Sequence, residues 1–128
     1  MAKTVAQMVQ DAKARVENLS VEQVAAELQQ GDVTIIDIRE PDERAQGAIP
    51  GSVSAPRGML EFWADPTSPY HRPEFDPSRR IILTCASGGR SALAADTLQQ
   101  MGFTRVAHLE GGFKAWQAAG KPVERPTG

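Results

Sequence analysis

The sequence predicts an α/β domain with a mainly parallel sheet and helices on its faces, and two observations support this. Short β-branched runs alternate along the chain with segments of helical period, which is the pattern of consecutive βαβ units. The runs VTIIDI (33–38) and RIILT (80–84) contain few polar residues, as is typical of strands buried on both faces. Ligands of such folds bind at the carboxyl ends of the strands.

Length and composition indicate one domain with its own core. The chain has 128 residues, with 14 Lys and Arg against 16 Asp and Glu, which are the proportions of an ordinary globular domain. A chain of this size can fold without metal or disulfide staples, and its single cysteine has no partner for an intrachain disulfide. A lone cysteine is typical of a reducing compartment. We therefore expect a cytoplasmic protein that is a monomer or a homodimer.

Charge and hydropathy argue against several classes of partner. The net charge of −2 gives no electrostatic reason to expect nucleic acid or an anionic membrane as the partner. The longest apolar stretches are too short to span a bilayer. The N-terminal segment has polar or charged residues every few positions, so it lacks the apolar region of a secretory signal.

Two amphipathic helices are predicted first. Residues 1–18 carry apolar side chains at helical spacing and predict an N-terminal helix, whose packing partner, its own domain or a second subunit, is open. Ser20 and Gln23 have the spacing of a capping box, and Gly31 can end the helix that follows. The domain itself is assigned to residues 19–121. The apolar positions are Val5, Met8, Val9, Ala12 and Val16, then Val21, Val24, Ala25 and Leu28.

A long irregular stretch, residues 40–78, holds seven of the nine prolines. Its start, EPDERAQ, predicts a helical turn, and GAIPGSVSA (47–55) predicts a turn and a small strand. The remainder has no sustained period. Loops of this length are often functional in compact domains. Phe62 and Trp63 either pack this stretch onto the domain, the interpretation we favour, or form an apolar lid.

Regular patterns resume in the last third of the chain. A helical stripe from Ser91 to Met101 stops at Gly102, and VAHL (106–109) predicts another strand. A last helix contains Trp116 and is closed by Gly120. Residues 122–128 are expected to form a flexible tail.

The loop after the RIILT strand is the best candidate for chemistry, because a nucleophile, glycines and a fixed cation coincide there. Cys85 reacts as a thiolate, and an ordinary cysteine is mostly protonated at neutral pH. Loop amides and a helix N-terminus can stabilise the anion, and Gly88 and Gly89 permit the backbone angles that this requires. Arg90 adds a permanent cation. The same donors would stabilise a terminal sulfur carried by Cys85 as a persulfide.

Three motifs in order resemble the single-domain rhodaneses, a sulfurtransferase family. They are DIREPDE followed by GAIPGS, then CASGGRS before a helix, then HLEGGFKAW, and the resemblance runs from about Leu19 to Gly120. It implies a rhodanese-like α/β fold with a central parallel sheet of about five strands. It also implies that Cys85 accepts sulfane sulfur and passes it to a thiophilic acceptor.

The resemblance assigns the remaining site residues and ligands. Asp37 and Arg39 match an acidic and basic pair near the site, and the loop that cradles the sulfur comprises Ala86, Ser87, Gly88, Gly89 and Arg90. The expected donor is a small sulfur-containing anion such as thiosulfate. The expected acceptor is cyanide, a small thiol or a protein thiol, with no metal or organic cofactor.

Two departures and two rival functions stay open. Many relatives have histidine at the position of Ala48 and a long or basic residue at that of Ala86, so activity with thiosulfate is in question, and Arg57 is a candidate contact for an anionic substrate. A rhodanese-like module without turnover could bind a partner or sense sulfide or an oxidant through Cys85. A phosphatase or arsenate reductase needs C-x5-R, and the spacing to Arg90 is C-x4-R.

Several other residues have simpler interpretations. His71 and His108 are too scattered for a zinc site with one cysteine, so both are interpreted as structural. Tight-turn geometry accounts for Gly111 and Gly112 without a functional role. The spacing of Trp116 is that of a core residue.

Overall fold

The computed structural model describes residues 2–126 and has alternating helices and strands. The helices are α1 (Val5–Arg15), α2 (Val21–Gln30), α3 (Pro41–Ala45), α4 (Leu60–Ala64), α5 (Gly89–Gln100) and α6 (Gly112–Ala118), with a 3-10 helix at Arg57–Met59. The strands are β1 (Glu17–Leu19), β2 (Thr34–Asp37), β3 (Val53–Ser54), β4 (Ile81–Thr84) and β5 (Val106–Leu109).

The five strands form one sheet in the order β1-β5-β4-β2-β3, and every pair is parallel. This confirms the predicted fold class. The central strands β4 and β5 are buried at every position, as expected for strands covered on both faces. Their carboxyl ends, and that of β2, meet at one edge of the sheet.

The edge strand β1 was not predicted. Its three residues, Glu17 to Leu19, pair with Ala107 to Leu109 of β5. They lie partly within residues 1–18, which the sequence analysis assigned entirely to an N-terminal helix. That helix ends at Arg15, because Val16 is already extended and the chain turns into the sheet.

Two apolar layers cover the sheet. One layer packs beneath α1, α4 and α5 and contains Ile36, Leu83 and Leu98. The other packs beneath α2 and α6 and contains Ile35, Ile82 and Trp116. Helix α1 packs on α5 of its own chain, and Val9 lies 3.8 Å from the position of a Cβ on Gly89.

The predicted capping signals are confirmed at α2. The Ser20 side chain accepts the Gln23 amide at 3.1 Å, and the Ser20 amide donates to the Gln23 side chain at 2.8 Å. Gly31 ends the helix at φ 84°, where glycine is favoured because it has no Cβ. None of the helices in residues 2–126 is long and apolar enough to cross a membrane.

The stretch 40–78 is more regular than its sequence indicates. It contains α3 and β3, as predicted, and also the 3-10 helix and α4, which were not predicted. Trp63 packs against the core and stacks on Phe75, with Arg72 over its ring at 4.9 Å, so it holds the stretch on the domain. Phe62 is 53% exposed.

The segment expected to be a flexible tail is tied to the domain as far as it is described. Glu124 pairs with Ala48 through two backbone hydrogen bonds of 2.7 and 2.9 Å. The Trp116 indole donates to the carbonyl of Pro122 at 2.7 Å. The last two residues of the predicted tail, 127 and 128, lie outside the described residues.

Candidate active site

Cys85 follows β4 directly, at the carboxyl edge of the sheet, and the loop 85–90 then leads into α5. The helix begins at Gly89, two residues earlier than the start near Ser91 that the helical stripe predicts. Gly88 precedes it at φ 102°, a left-handed conformation that other residues adopt at a cost. The predicted loop between a strand and a helix N-terminus is therefore confirmed.

The sulfur of Cys85 lies on the floor of this loop. Its Sγ accepts the amide of Gly88 at 3.1 Å and the amide of Ser91 at 3.4 Å, and it contacts Ser91 Oγ at 3.5 Å. The residue is 1% exposed and belongs to the apolar layer that contains Leu83, so its sulfur is shielded from solvent. Two amide donors stabilise negative charge at this position.

The other loop amides have no partner among residues 2–126. They belong to Ala86, Ser87, Gly89 and Arg90, and none donates a hydrogen bond within the described part of the chain. Those of Gly89 and Arg90 are in the first turn of α5, where amides lack intrahelical acceptors. Ala86 is half-buried and Ser87 is exposed. The loop can therefore donate hydrogen bonds to an anion placed beyond Sγ.

The Gly111–Gly112 pair supports the loop from behind, a role that the sequence analysis missed. The Phe113 amide donates to the carbonyl of Cys85 at 2.8 Å, and the Lys114 amide donates to that of Ala86 at 3.0 Å. A Cβ on Gly112 would lie 2.6 Å from the Cys85 carbonyl oxygen. The available signal was the position of the pair, directly after the strand that neighbours β4.

The Arg90 side chain is bound by a carboxylate of α3. Its guanidinium donates to both oxygens of Glu43 at 2.9 and 2.8 Å, and no hydrogen bond joins it to Sγ. The bonds from Arg90 lower the pKa of Glu43 from 4.5 to about 2. The guanidinium predicted as the loop cation is thus bound by Glu43, which was not among the predicted site residues.

Asp37 and Arg39 form a buried ion pair beside the loop, joined by a third residue. Asp37 Oδ2 accepts from Arg39 Nη2 at 2.8 Å and from Arg44 Nη1 at 3.0 Å. Arg39 also donates to the carbonyl of Gly47 at 2.8 Å, and its guanidinium lies 4.5 Å from the ring centre of Phe113. The three charged side chains join β2, α3 and α6 at the edge that carries Cys85.

Arg57 lies at the same edge of the sheet, but its side chain pairs with a residue of α4. Its amide donates to the carbonyl of Ile38 at 3.1 Å, just beyond β2. Its guanidinium pairs with Glu61 at 3.0 Å. Ala48 is fully buried, and its backbone pairs with that of Glu124. The substrate contact predicted for Arg57 stays a prediction.

The Glu43–Arg90 pair predicts a pH-dependent contribution to stability. Because the pKa of Glu43 falls from 4.5 to about 2 on folding, the pair stabilises the fold fully above pH 4.5 and loses this effect as the pH falls toward 2. We expect Glu43→Gln to lower the free energy of unfolding at pH 7, with a difference from wild type that shrinks below pH 4.5. Urea denaturation at pH 7 and pH 3 measures this.

A matched control for this pair is Glu22→Gln. The side chain of Glu22 is 75% exposed and pairs with Lys121, and an exposed pair of this kind contributes little to stability. A deficit of Glu43→Gln that is equal at pH 7 and pH 3 would contradict the assigned ion pair.

Comparison with known proteins identifies the family to which the chain is similar. Residues 20–119 match the family model of the rhodanese-like domain. The chain is 37% identical over 97 residues to a sulfurtransferase of Allochromatium vinosum, covering 76% of this chain and 83% of that protein. It is 36% identical over 109 residues to the thiosulfate sulfurtransferase GlpE of Pseudoalteromonas translucida, covering 84% and 96%.

A solved structure is similar over nearly the whole chain. It is a protein of unknown function from Rhodopseudomonas palustris, described as a possible tyrosine phosphatase, with 46% identity, a TM-score of 0.91, and coverage of 97% of this chain and 96% of that one. The family match spans most of the chain and includes the cysteine loop and the sheet edge that holds it. The chain belongs to the rhodanese-like domain family and is related to sulfurtransferases.

Proposed function

We propose that this protein is a sulfurtransferase that moves sulfane sulfur from thiosulfate or a persulfide donor to a thiophilic acceptor through a persulfide on Cys85. The single observation that carries the proposal is the position of Sγ on the floor of the loop 85–90. Two amides donate to it, and four others are unpartnered among residues 2–126.

The first half-reaction loads the enzyme. The Cys85 sulfur, as a thiolate, attacks the outer sulfur of thiosulfate and forms a new S–S bond. The S–S bond of thiosulfate breaks, and its electron pair leaves with sulfite. Cys85 then carries a persulfide whose negative charge is on the outer sulfur, one bond beyond Sγ, where the amides of Ala86, Ser87, Gly89 and Arg90 can donate to it.

The second half-reaction returns the enzyme to its starting state. An acceptor such as cyanide attacks the outer sulfur, and the electron pair of the persulfide bond returns to Sγ as the thiolate. The product is thiocyanate, or a new persulfide when the acceptor is a thiol. Donor and acceptor bind in turn, so the kinetics should be ping-pong. One cysteine is sufficient for this cycle.

Phosphate-ester hydrolysis is a second candidate because the similar structure from Rhodopseudomonas palustris is described as a possible tyrosine phosphatase. Two features favour sulfur. The loop of this chain is C-x4-R, one residue shorter than the phosphatase loop, and the ring favours a smaller guest than a tetrahedral oxyanion. Both terminal guanidinium nitrogens of Arg90 also donate to Glu43.

Steady-state assays test the proposal. We expect wild-type protein to form thiocyanate from thiosulfate and cyanide with parallel double-reciprocal lines, and Cys85→Ser to form none because its hydroxyl cannot accept the sulfur. Both proteins are also offered an aryl phosphate. Phosphate release that requires Cys85, without thiocyanate, would replace this proposal with the phosphatase. A stable sulfur adduct without turnover would favour the binding or sensing module.

A further inference from the structure

A series of hydrogen bonds leads from the buried Cys85 through three elements to the surface. Cys85 Sγ lies 3.5 Å from Ser91 Oγ, Ser91 Oγ lies 2.9 Å from His108 Nδ1, and His108 Nε2 lies 2.7 Å from Asn18 Oδ1. Ser91 and His108 are fully buried, whereas Asn18 is exposed. His108, interpreted from sequence as structural, is thus one residue removed from the reactive sulfur.

The orientation of the Asn18 amide determines which atom donates in each hydrogen bond between Asn18, His108 and Ser91. Its Nδ2 donates to the carbonyls of Lys13 at 2.9 Å and Val16 at 3.1 Å, so Oδ1 faces the ring and must accept from His108 Nε2–H. A neutral imidazole has one N–H, so His108 Nδ1 accepts. The one hydroxyl proton of Ser91 therefore goes to His108.

His108 is neutral at physiological pH. Burial lowers its pKa to about 4, which the nearby carboxylate of Glu110 opposes and the ammonium of Lys13 reinforces. Glu110 Oε2 lies 3.8 Å from His108 Nε2, and Lys13 pairs with Glu110 at 2.6 Å. The ring therefore keeps a single N–H at pH 7.

Other charged groups of the surrounding elements form ion pairs outside this series of hydrogen bonds. Arg90, at the start of α5, is held by Glu43. Further along α5, Asp96 pairs with Arg15 of α1, and Glu17 of β1 pairs with Arg80. These charged groups of α1, α5 and β1 have other partners, so Asn18 determines the proton arrangement of the hydrogen-bonded series.

We propose that Asn18, His108 and Ser91 are positioning residues that make the Ser91 hydroxyl an acceptor toward Cys85. The hydroxyl then opposes the negative charge that the two amides stabilise on Sγ, so that charge is favoured on the outer sulfur of a persulfide. Ser91 Oγ accepts the thiol S–H of the resting enzyme, and it presents a lone pair to a thiolate. In the persulfide the charge is one bond farther out, among the unpartnered loop amides. When loading starts from the thiol, its proton is released to solvent.

The decisive test is the pH dependence of Cys85 alkylation by iodoacetamide in Ser91→Ala. The variant removes the acceptor of the S–H and the lone pair that faces the thiolate, so the profile should shift to lower pH. At pH 7 the rate should rise about threefold to tenfold, the range that one hydrogen bond accounts for. A serine that donates to the thiolate would give the opposite shift, and a packing role would give none; either result overturns the proposal.

A second variant acts from the surface, where folding is less at risk. Asn18→Ala frees the ring to carry its proton on Nδ1, so that Ser91 can turn its hydroxyl toward the sulfur. Alkylation at pH 7 should again be faster, and an unchanged or slower rate counts against the proposal. Gln99→Ala is the matched control, since Gln99 also binds a backbone carbonyl at the end of α1, that of Arg15 at 2.9 Å.

The wild-type protein supplies a measurement that needs no substitution. Nitrogen NMR of His108 at pH 7 should show a protonated Nε2 and an unprotonated Nδ1, and the reverse tautomer would overturn the assignment. The inference rests on the proposed function, whereas the measurements that test it do not depend on sulfur transfer. Alkylation and NMR report the proton arrangement, whereas sulfur uptake reports the transferase, so either can fail alone.

Discussion

Gly112→Ala should lower the free energy of unfolding by about 3 kcal/mol or more, the sum of a steric and a conformational cost. A Cβ at this position would lie 2.6 Å from the carbonyl oxygen of Cys85 and 2.7 Å from that of Ala86. Both contacts are with backbone, which cannot rotate away as a side chain would. Residue 112 also has φ 62°, in the left-handed region. Urea denaturation at 25 °C measures the change.

Gly120→Ala separates the two costs. Gly120 has φ 74°, and a Cβ there would meet nothing within 4 Å. It should therefore cost only the conformational part, about 1–2 kcal/mol. Equal losses for the two variants would mean that the close approach of Gly112 to the loop does not contribute to stability.

Asp37→Asn should destabilise the protein by about 3–5 kcal/mol, because it removes the one carboxylate between two buried guanidinium groups. Asp37 is 1% exposed, and the side chains of Arg39 and Arg44 are 5% and 10% exposed. Asparagine has nearly the same shape but no charge, and its amide adds donors that face other donors. The midpoint of urea denaturation should fall accordingly.

Asp42→Asn is the control for Asp37→Asn. Asp42 is exposed in the first turn of α3, where a carboxylate contributes about 0.3–1 kcal/mol by its interaction with the helix dipole. A loss for Asp37→Asn no larger than that of Asp42→Asn would contradict the assignment of a buried ion pair at this edge of the sheet.

The elements with a strong local signal were predicted correctly. The β-branched runs of β2 and β4 and the capping box of α2 carry their structure in consecutive residues. The edge strand β1 does not: Glu17 and Asn18 are polar and exposed, so no alternation or apolar run marks it. It forms because β5 offers a free edge, which is a property of the folded sheet.

The candidate site also has one part that the local sequence predicts and another part that it does not. The loop from Cys85 to Arg90 was predicted because its cysteine, glycines and helix lie together in the sequence. The hydrogen-bond partner of Arg90, Glu43, lies 47 positions earlier. Ser91 binds His108, 17 positions later, and His108 binds Asn18, 90 positions before it. Pairings between distant elements are set by the topology of the sheet, which local patterns do not encode.

Intact mass spectrometry after incubation with thiosulfate, before any acceptor is added, tests the central claim most directly. We expect wild-type protein to gain the mass of one sulfur atom and to lose it on addition of cyanide, while Cys85→Ser gains nothing. A wild-type mass that does not change, or a sulfur that Cys85→Ser also acquires, would contradict the role of Cys85 as the carrier.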